Sequence, residues 1–469
     1  MKQALRKMAL AAVCVGGVAV TIPVQAANWL MLQGTEPAST AGRAKVWGFI
    51  QPEYQQTRGS EIDAGPWTGQ RAVFNAMRPD LKADKGFNTI RARVGVRGVG
   101  MPIDPKVNYF FLAEFGNNGI TQQGGGSVKV TDASVTLNHI PGARIRVGTF
   151  KTPGSEEGLQ AIHVFDYINF TGATNGLLLE RFFNGNGSGT FVSPVAGPGT
   201  AADSGDANRP NGSVSAFRDT GVQVFDTFKQ GSWEHAYAIM MGNGNGIARG
   251  ENDDNKETYL YWSSERVYAG SGPRRQGWKM FAWKQSGKRT LSTEGAGEYN
   301  RDRAGLGTTY KKGRHRAAFE YITADGMIFN GTDGGAIAGS VSNLPAGAAG
   351  KFTGNTDAGG DGQVTASFNV EVEGEADGYY LHYGFAPNPR WEFDVRYDVY
   401  NRMTDVSAKE RQFKTWTLGT QYFFNRKSRV IVNYEIRNAE APNLPVSDNA
   451  NKILSGMDNR FSAQLLIIF

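Results

Sequence analysis

The chain has 469 residues but a single cysteine and only five histidines. Because Cys14 lies close to the amino terminus, the rest of the chain has no thiol for a disulfide, a thiolate metal site or a CxxCH haem attachment. The histidines are scattered, and the HExxH, GxSxG and GxxxxGK(S/T) motifs are absent. The sequence therefore predicts no metal and no cofactor, and it argues against an enzyme.

Long apolar runs are also scarce. The one run, Met8 to Ile22, is shorter than the roughly 20 residues that a membrane-spanning helix needs. It follows Lys2, Arg6 and Lys7 and precedes the small residues around Ala26, which predicts a secretory signal peptide over residues 1–26. Without this segment the chain carries 47 basic and 44 acidic residues, so its overall charge indicates no nucleic-acid partner.

The remaining residues, 27–469, contain no linker of biased composition and no sustained 3.6-residue apolar periodicity, which predicts a single domain. The chain is rich in turn and strand formers, with 61 Gly, 27 Phe and 17 Tyr. This composition favours many short strands joined by turns. A mean hydropathy of -0.40 is compatible with a membrane barrel, because the wall of such a barrel exposes only every second residue to lipid.

Several segments alternate apolar and polar residues. In the last one, Asn459 to Phe469, the odd-numbered residues from Phe461 onward are apolar, whereas Arg460, Ser462 and Gln464 lie on the other face. Similar alternation occurs at 90–97, 391–400 and 430–437. Taken singly, each segment fits a strand of a soluble β-sandwich as well as a strand of a transmembrane barrel.

The order of the connections separates these two folds. Short turns follow the even-numbered strands and longer connections follow the odd-numbered ones, including 151–217 and 324–375. This asymmetry predicts an all-β, transmembrane antiparallel β-barrel in a Gram-negative outer membrane, with both termini at the periplasmic side. The sixteen predicted strands are 43–55, 88–99, 106–116, 127–138, 143–150, 218–228, 233–242, 257–265, 277–286, 303–311, 314–323, 376–385, 390–400, 413–424, 429–438 and 459–469.

Several stretches, in this order along the chain, resemble the phosphate-selective porin O and P family of Gram-negative outer membranes. They are RIRVGTFKTP at 144–153, LER at 179–181, RDTGVQV at 218–224, MGNGNG at 241–246, Tyr397-Asp398, and WTLGTQYFFN at 416–425. Long insertions at 183–216 and 326–370 lie outside the resemblance.

The resemblance implies a sixteen-stranded, usually homotrimeric diffusion channel for small hydrophilic or ionic solutes. The name of the family implies anions such as phosphate, although the matched stretches do not identify the solute. The resemblance also implies contact with outer-membrane lipid and lipopolysaccharide. The terminal aromatic residue, Phe469, implies handling by the barrel-assembly machinery, so that its deletion impairs insertion more than conductance.

If the apolar faces meet lipid, the opposite faces place charged side chains in the lumen. The second and fifth strands then form a basic wall, nearly across the barrel from acidic residues of the eleventh, thirteenth and fifteenth strands. Opposed walls predict a general or weakly selective channel, and the alternative is solvated charges spread along the pore. The predicted pore-lining residues are Arg91, Arg93, Arg97, Arg144 and Arg146 on the basic wall, and Glu320, Glu392, Asp394, Asp398 and Glu435 on the acidic wall.

The third outer connection of this chain is 151–217. In many porins the corresponding connection folds into the lumen. By resemblance, its candidate constriction residues are Lys151, Glu156, Glu157 and Asp166. The alternative is an external loop that packs at a trimer interface. A non-transport barrel also remains open, either as a hydrolase or as a structural sheath that needs a separate cytochrome for electron transfer.

Overall fold

The computed structural model of the chain describes residues 29–32, 35–36, 42–58, 60–62, 70–71, 85–100, 104–118, 120–121, 128–179, 190–192, 215–247, 251, 253–272, 274–291, 297–329, 355–356, 365–367 and 370–469. The signal peptide predicted for residues 1–26 lies outside the described residues. Parts of the two long connections, 151–217 and 324–375, lie outside them as well.

Sixteen antiparallel strands form a closed barrel, and each strand pairs with its neighbours in chain order. The first and last strands close the wall, with Ile50 opposite Ile467. This arrangement confirms the predicted fold class, and each strand overlaps one of the sixteen predicted segments. The strands are β1 Lys45–Gln56, β2 Lys85–Val99, β3 Val107–Glu114, β4 Lys129–Leu137, β5 Arg144–Lys151, β6 Arg218–Gln230, β7 Trp233–Gly242, β8 Glu257–Ala269, β9 Gln276–Leu291, β10 Gly297–Lys312, β11 His315–Asp325, β12 Glu375–Asn388, β13 Trp391–Arg402, β14 Arg411–Asn425, β15 Ser428–Glu440 and β16 Arg460–Ile468.

Two strands extend furthest beyond their predicted segments. β9 continues to Leu291 and β10 begins at Gly297, whereas alternation had predicted 277–286 and 303–311. The extra residues include Lys288, which pairs with Glu298 at 3.3 Å. Backbone pairing continues here without apolar alternation, so a pattern search that relies on alternation ends too early.

The two faces of each strand differ in polarity. In β14, Trp416 and Leu418 are 49% and 50% exposed, whereas Thr415 and Thr417 on the other face are buried. Large apolar side chains are therefore exposed on the outside while polar and charged side chains are buried inside. This distribution is the reverse of that in a soluble protein, and it suits a wall surrounded by lipid.

Phe469 extends the backbone pairing between the last strand and β1, where the barrel closes. The backbone N–H of Phe469 donates to the carbonyl of Gly48 at 3.0 Å, and the N–H of Gly48 donates back at 3.1 Å. A β-carbon at Gly48 would lie 2.5 Å from the Phe469 ring, so only glycine accommodates the ring in this position. The larger effect of deleting Phe469 on insertion than on conductance stays a prediction.

The other elements are short. The helices are α1 Glu156–Leu159, α2 Gly172–Leu177 and α3 Asn449–Leu454, and 3-10 turns occur at Trp29–Met31 and Ile162–Val164. Short strands pair outside the barrel, Glu61–Ile62 with Gln70–Arg71, Ile328–Phe329 with Val370–Glu371, and Thr365–Ser367 with both Asn355–Thr356 and Thr190–Val192. None of the described helices has the length and apolar character needed to cross a membrane.

Candidate functional site in the barrel lumen

The predicted basic wall begins on β2, whose arginines lie on the inner face. Arg93 forms a buried ion pair with Glu114 at 2.7 Å, and Arg91 donates to Gln51 at 3.3 Å. Arg97 pairs with Glu36 and donates to the carbonyl of Leu32 at 3.0 Å. These contacts tie the chain that precedes β1 to the inner wall.

The fifth strand extends this basic sector. Arg144 pairs with Asp226 at 3.2 Å. Arg146 is fully buried, lies 4.2 Å from the centre of the Phe225 ring, and donates to Gln223 at 3.4 Å. The Arg146 guanidinium is thus held against the wall by aromatic stacking as well as by hydrogen bonds.

The predicted acidic wall also contains arginines. Arg316 of β11 contacts Glu392 and lies 2.9 Å from Asp394, both of β13. Arg396 lies 3.8 Å from Asp398 on the same strand, and Arg460 of β16 pairs with Glu435 at 2.6 Å. Most carboxylates of this sector are therefore neutralised by a neighbouring guanidinium, and the two walls are not simply of opposite charge.

Glu320 differs from the other predicted acidic residues in its contacts. It accepts hydrogen bonds from the Trp283 indole at 2.9 Å, from the Tyr380 hydroxyl at 3.1 Å and from the backbone N–H of Glu156 at 3.2 Å. These donors are neutral. Glu320 thus contributes to docking of the third connection against β11.

The predicted acidic wall included carboxylates alone and left out the arginines of this sector, although their positions gave a signal. Arg396 has the same parity as Glu392 and Asp394, and Arg316 lies four residues before Glu320, so each pair shares a strand face. These arginines are found when every charged residue of the inward face is counted, instead of the residues of one sign only. The basic residues added to the inner face in this way include Lys279, Arg316, Arg396, Arg429 and Arg460.

The third connection enters the barrel directly after β5. Lys151, at the end of β5, donates to the carbonyls of Gly158 at 2.7 Å and Gln160 at 2.5 Å, which turns the chain inward. The side chain of Ser155 caps α1 by accepting from the N–H of Gly158. Within α1, Glu156 binds Lys279 of β9 at 2.5 Å.

The connection then crosses the lumen to the far wall. Glu157 forms an ion pair with Arg396 of β13 at 3.1 Å. Asn169 donates to Glu435 of β15 at 3.0 Å, and the backbone N–H of Gly172 donates to Asp398 at 2.9 Å. The predicted constriction residues and several predicted wall residues therefore meet each other inside the barrel.

Asp166 lies between two arginines near the periplasmic end of the lumen. It contacts Arg274, and Arg316 lies 2.9 Å from its second oxygen. Burial alone would raise the pKa of Asp166, but the two guanidinium groups outweigh burial and hold this pKa well below its usual range. Asp166 is thus a charged anchor of the third connection.

A cavity lies between the third connection and strands β8 to β13. Its lining includes Lys279, Lys311 and Arg316 together with Trp29 and Tyr380. The cavity is therefore bordered by both charged and aromatic side chains. Elsewhere among the described residues, no group of three or more His, Cys, Asp or Glu side chains could hold a metal ion.

Part of the interior is apolar. Trp29, Leu30 and Met31 are buried in a cluster with Leu159 of α1 and Trp283 of β9. The indole N–H of Trp29 also donates to Glu156 at 2.9 Å. The chain before β1 and the third connection thus pack against each other inside the barrel.

Sixteen strands close a wall that is apolar outside and charged inside, with short turns at one end and long loops at the other, as in outer-membrane porins. The molecule is an outer-membrane β-barrel with a porin-like fold. A loop that crosses the lumen of this porin-like barrel contacts strands on opposite sides of the wall.

No protein-family model matches the sequence, and no curated protein matches it significantly. Among solved structures, the porin-like barrel is similar to the outer-membrane channel DcaP of Acinetobacter baumannii, with 12% identity, a TM-score of 0.49, and coverage of 93% of this chain and 100% of that one. It is also similar to the anion-selective porin from Comamonas acidovorans, with 11% identity, a TM-score of 0.49, and coverage of 91% and 99%. A third similar structure is OmpF of Salmonella typhi in complex with daunomycin, with 11% identity, a TM-score of 0.48, and coverage of 91% and 97%.

These identities and TM-scores are low, so the assignment of the fold rests on the strand order and registers of the chain itself. The resemblance to the phosphate-selective porin O and P family stays a prediction.

Proposed function

We propose that the barrel is an outer-membrane diffusion channel for small hydrophilic or ionic solutes and that it works without a cofactor. The observation that supports this function best is the inward placement of charged residues on strands of nearly every sector, because a polar interior behind an apolar outer face is typical of barrels that form channels. A barrel that served only as a scaffold would be more stable with apolar residues at many of these positions.

The proposed constriction is the third connection. Lys151, Glu156, Glu157 and Asp166 hold it across the lumen, through contacts with the wall and within the loop. The proposed pore-lining residues are Arg91, Arg93, Arg97, Arg144, Arg146, Glu320, Glu392, Asp394, Asp398 and Glu435. Since most of these charges have a partner of opposite sign or a neutral donor, we expect weak ion selectivity in the centre of the channel, where a strict anion filter would need an uninterrupted basic path.

Currents in planar bilayers test this function. The purified protein, inserted into a phosphatidylcholine bilayer, is expected to give stepwise single-channel currents and a small reversal potential in a KCl gradient. The absence of current would contradict the channel function. A strong anion selectivity would leave the channel function intact but would favour the phosphate-type channel that the resemblance implies. Cross-linking in detergent tests the proposed homotrimer separately.

A non-transport barrel is the second candidate, and the apolar cluster around Trp29, Leu159 and Trp283 favours it, because such a cluster occupies part of the lumen. In that case the barrel is a structural sheath or an outer-membrane hydrolase. Little or no conductance in the same bilayers would support this candidate, and a test for hydrolysis of ester or peptide substrates would then separate the two possibilities.

A further inference from the structure

The two mouths of the barrel differ in charge. The seven turns between even and odd strands at the periplasmic end contain seven Lys or Arg residues and one carboxylate, Asp104. Five of the basic residues are exposed. Lys106 lies on the turn that contains Asp104, and the other four, which we call the periplasmic rim, are Arg314, Arg390, Arg426 and Lys427. None of these four forms an ion pair with another residue that the structure describes.

The connections at the opposite, outer end have the reverse balance. Apart from Glu156, Glu157 and Asp166, which lie in the lumen, the side chains that the structure describes in these eight connections include nine Asp or Glu residues and four Lys or Arg residues. Several of the lysines among their described residues are already neutralised, since Lys256 pairs with Glu251 at 2.5 Å and Lys409 pairs with Glu371 at 2.8 Å. Asp254 and Asp405 are exposed on the same side. The outer mouth is therefore acidic where the periplasmic mouth is basic.

We propose that the barrel is a bipolar channel, in which a basic periplasmic mouth and an acidic outer mouth pass ion current more readily in one direction than in the other. This inference rests on the proposed channel function and adds a direction to it. Anions accumulate at the periplasmic mouth and cations at the outer mouth, because each mouth attracts the ions of opposite charge.

The four charges of the periplasmic rim lie on three adjacent turns, between β10 and β15, and their spacing supports a continuous potential over this sector of the periplasmic mouth. Neighbouring hairpins are two strands apart, which places successive turns roughly 10–12 Å from each other around the barrel. This distance is close to the screening length of about 10 Å at 0.1 M salt, and far above the roughly 3 Å at 1 M. The potentials of adjacent turns thus overlap in dilute salt and separate in concentrated salt.

The direction of the larger current follows from the positions of the charges. When the outer side is positive, the field drives cations inward from the acidic mouth and anions outward from the basic mouth, so both kinds of ion enter the lumen from an enriched reservoir. With the opposite polarity, each mouth excludes the ions that must enter through it, and the lumen is depleted. The outside-positive current is therefore the larger one.

The test uses the full mature chain in a bilayer of zwitterionic phosphatidylcholine, which adds no fixed charge. Because the only cysteine is Cys14 in the predicted signal, Ala408→Cys in the exposed connection between β13 and β14 gives a unique handle. A charged thiol reagent that is too large to pass through the channel, added to one side, then reports the orientation of each inserted channel. At 0.1 M KCl the outside-positive current is expected to exceed the outside-negative current about two- to threefold, and this ratio is expected to approach one at 1 M KCl.

Two triple variants with the same change in total charge distinguish the mouths. Arg314→Gln, Arg390→Gln and Arg426→Gln together remove charge from the periplasmic rim, and the current ratio at 0.1 M KCl is expected to fall toward one. Lys256→Gln, Lys409→Gln and Lys452→Gln together make the outer mouth more acidic, and the current ratio at 0.1 M KCl is expected to remain unchanged or to rise.

The outcomes separate this inference from the channel function. Equal currents at both polarities in 0.1 M KCl, or a ratio that both triple variants change alike, would overturn the bipolar channel but not the diffusion channel. Absence of current at either polarity would overturn the channel function and the inference with it.

Discussion

The inner and outer faces of the same strands obey different rules. On the outer face of β14, Trp416 and Leu418 are exposed, and lipid requires only that they be apolar. On the inner face of β13, Arg396 contacts Glu157 at 3.1 Å, a residue 239 positions away in the chain. The stability of the outer face therefore requires only that each residue be apolar, whereas the packing of the inner face requires a particular partner for each charged residue.

Removing an inner-face cation is expected to have the largest effect. Arg396 is buried, donates to Asn169 at 3.1 Å and lies over the Tyr167 ring at 4.3 Å, in addition to its pair with Glu157. Arg396→Met leaves the carboxylate of Glu157 without its cation, which is expected to cost about 3–5 kcal/mol in docking of the third connection. Limited proteolysis and hydrogen exchange within residues 152–179 measure this loss.

Arg396→Lys is the matched control, because it keeps the charge and loses only part of the hydrogen bonding. Its protection is expected to lie between those of the wild type and Arg396→Met. If Arg396→Met left exchange and proteolysis of the third connection unchanged, the inner face would not depend on specific partners in the way described.

Placing a charge on the outer face is expected to have the next largest effect. Leu418→Arg puts a cation in the apolar belt, which is expected to cost about 2–4 kcal/mol if the residue lies near the middle of the bilayer. Lys414→Arg is the control. Lys414 lies on the same face of β14, four residues nearer the outer end of the barrel, and its replacement by Arg is expected to change stability by less than about 1 kcal/mol. Folding into lipid vesicles over a urea gradient measures both, and equal stability of the two variants would contradict the assignment of the outer face to lipid.

These two rules also explain how much could be predicted from the sequence. The outer face repeats one class of residue at every second position, so local alternation together with turn signals was enough to locate all sixteen strands. The signs of the inner-face residues were equally visible. Asp394 and Asp398 are buried inside the wall, and Glu392 on the same face contacts Arg316. Their partners could not be predicted, because Asp166 meets Arg316 only through the path of a loop across a closed barrel, and no local pattern encodes that path.

The smallest expected effect separates charge from docking within the third connection. Asp166→Asn keeps the shape of the side chain but removes the carboxylate between Arg274 and Arg316. Arg274 then lacks this partner beside the cavity, whereas Arg316 keeps its contacts with Glu392 and Asp394. We expect the reversal potential in a KCl gradient to shift toward anion preference by a few millivolts, because the site lies near one mouth and most other charges are unchanged.

The pH dependence of this shift follows from the lowered pKa of Asp166. A carboxylate whose pKa is lowered in the folded state stabilises that state above its ordinary pKa of about 3.9, and the contribution disappears only as the pH falls through the lowered value. The difference in reversal potential between the wild type and Asp166→Asn should therefore be the same at pH 7 and pH 4.5. A difference that vanished at pH 4.5 would mean that Asp166 is protonated there, and that its two arginines do not hold it in the charged form.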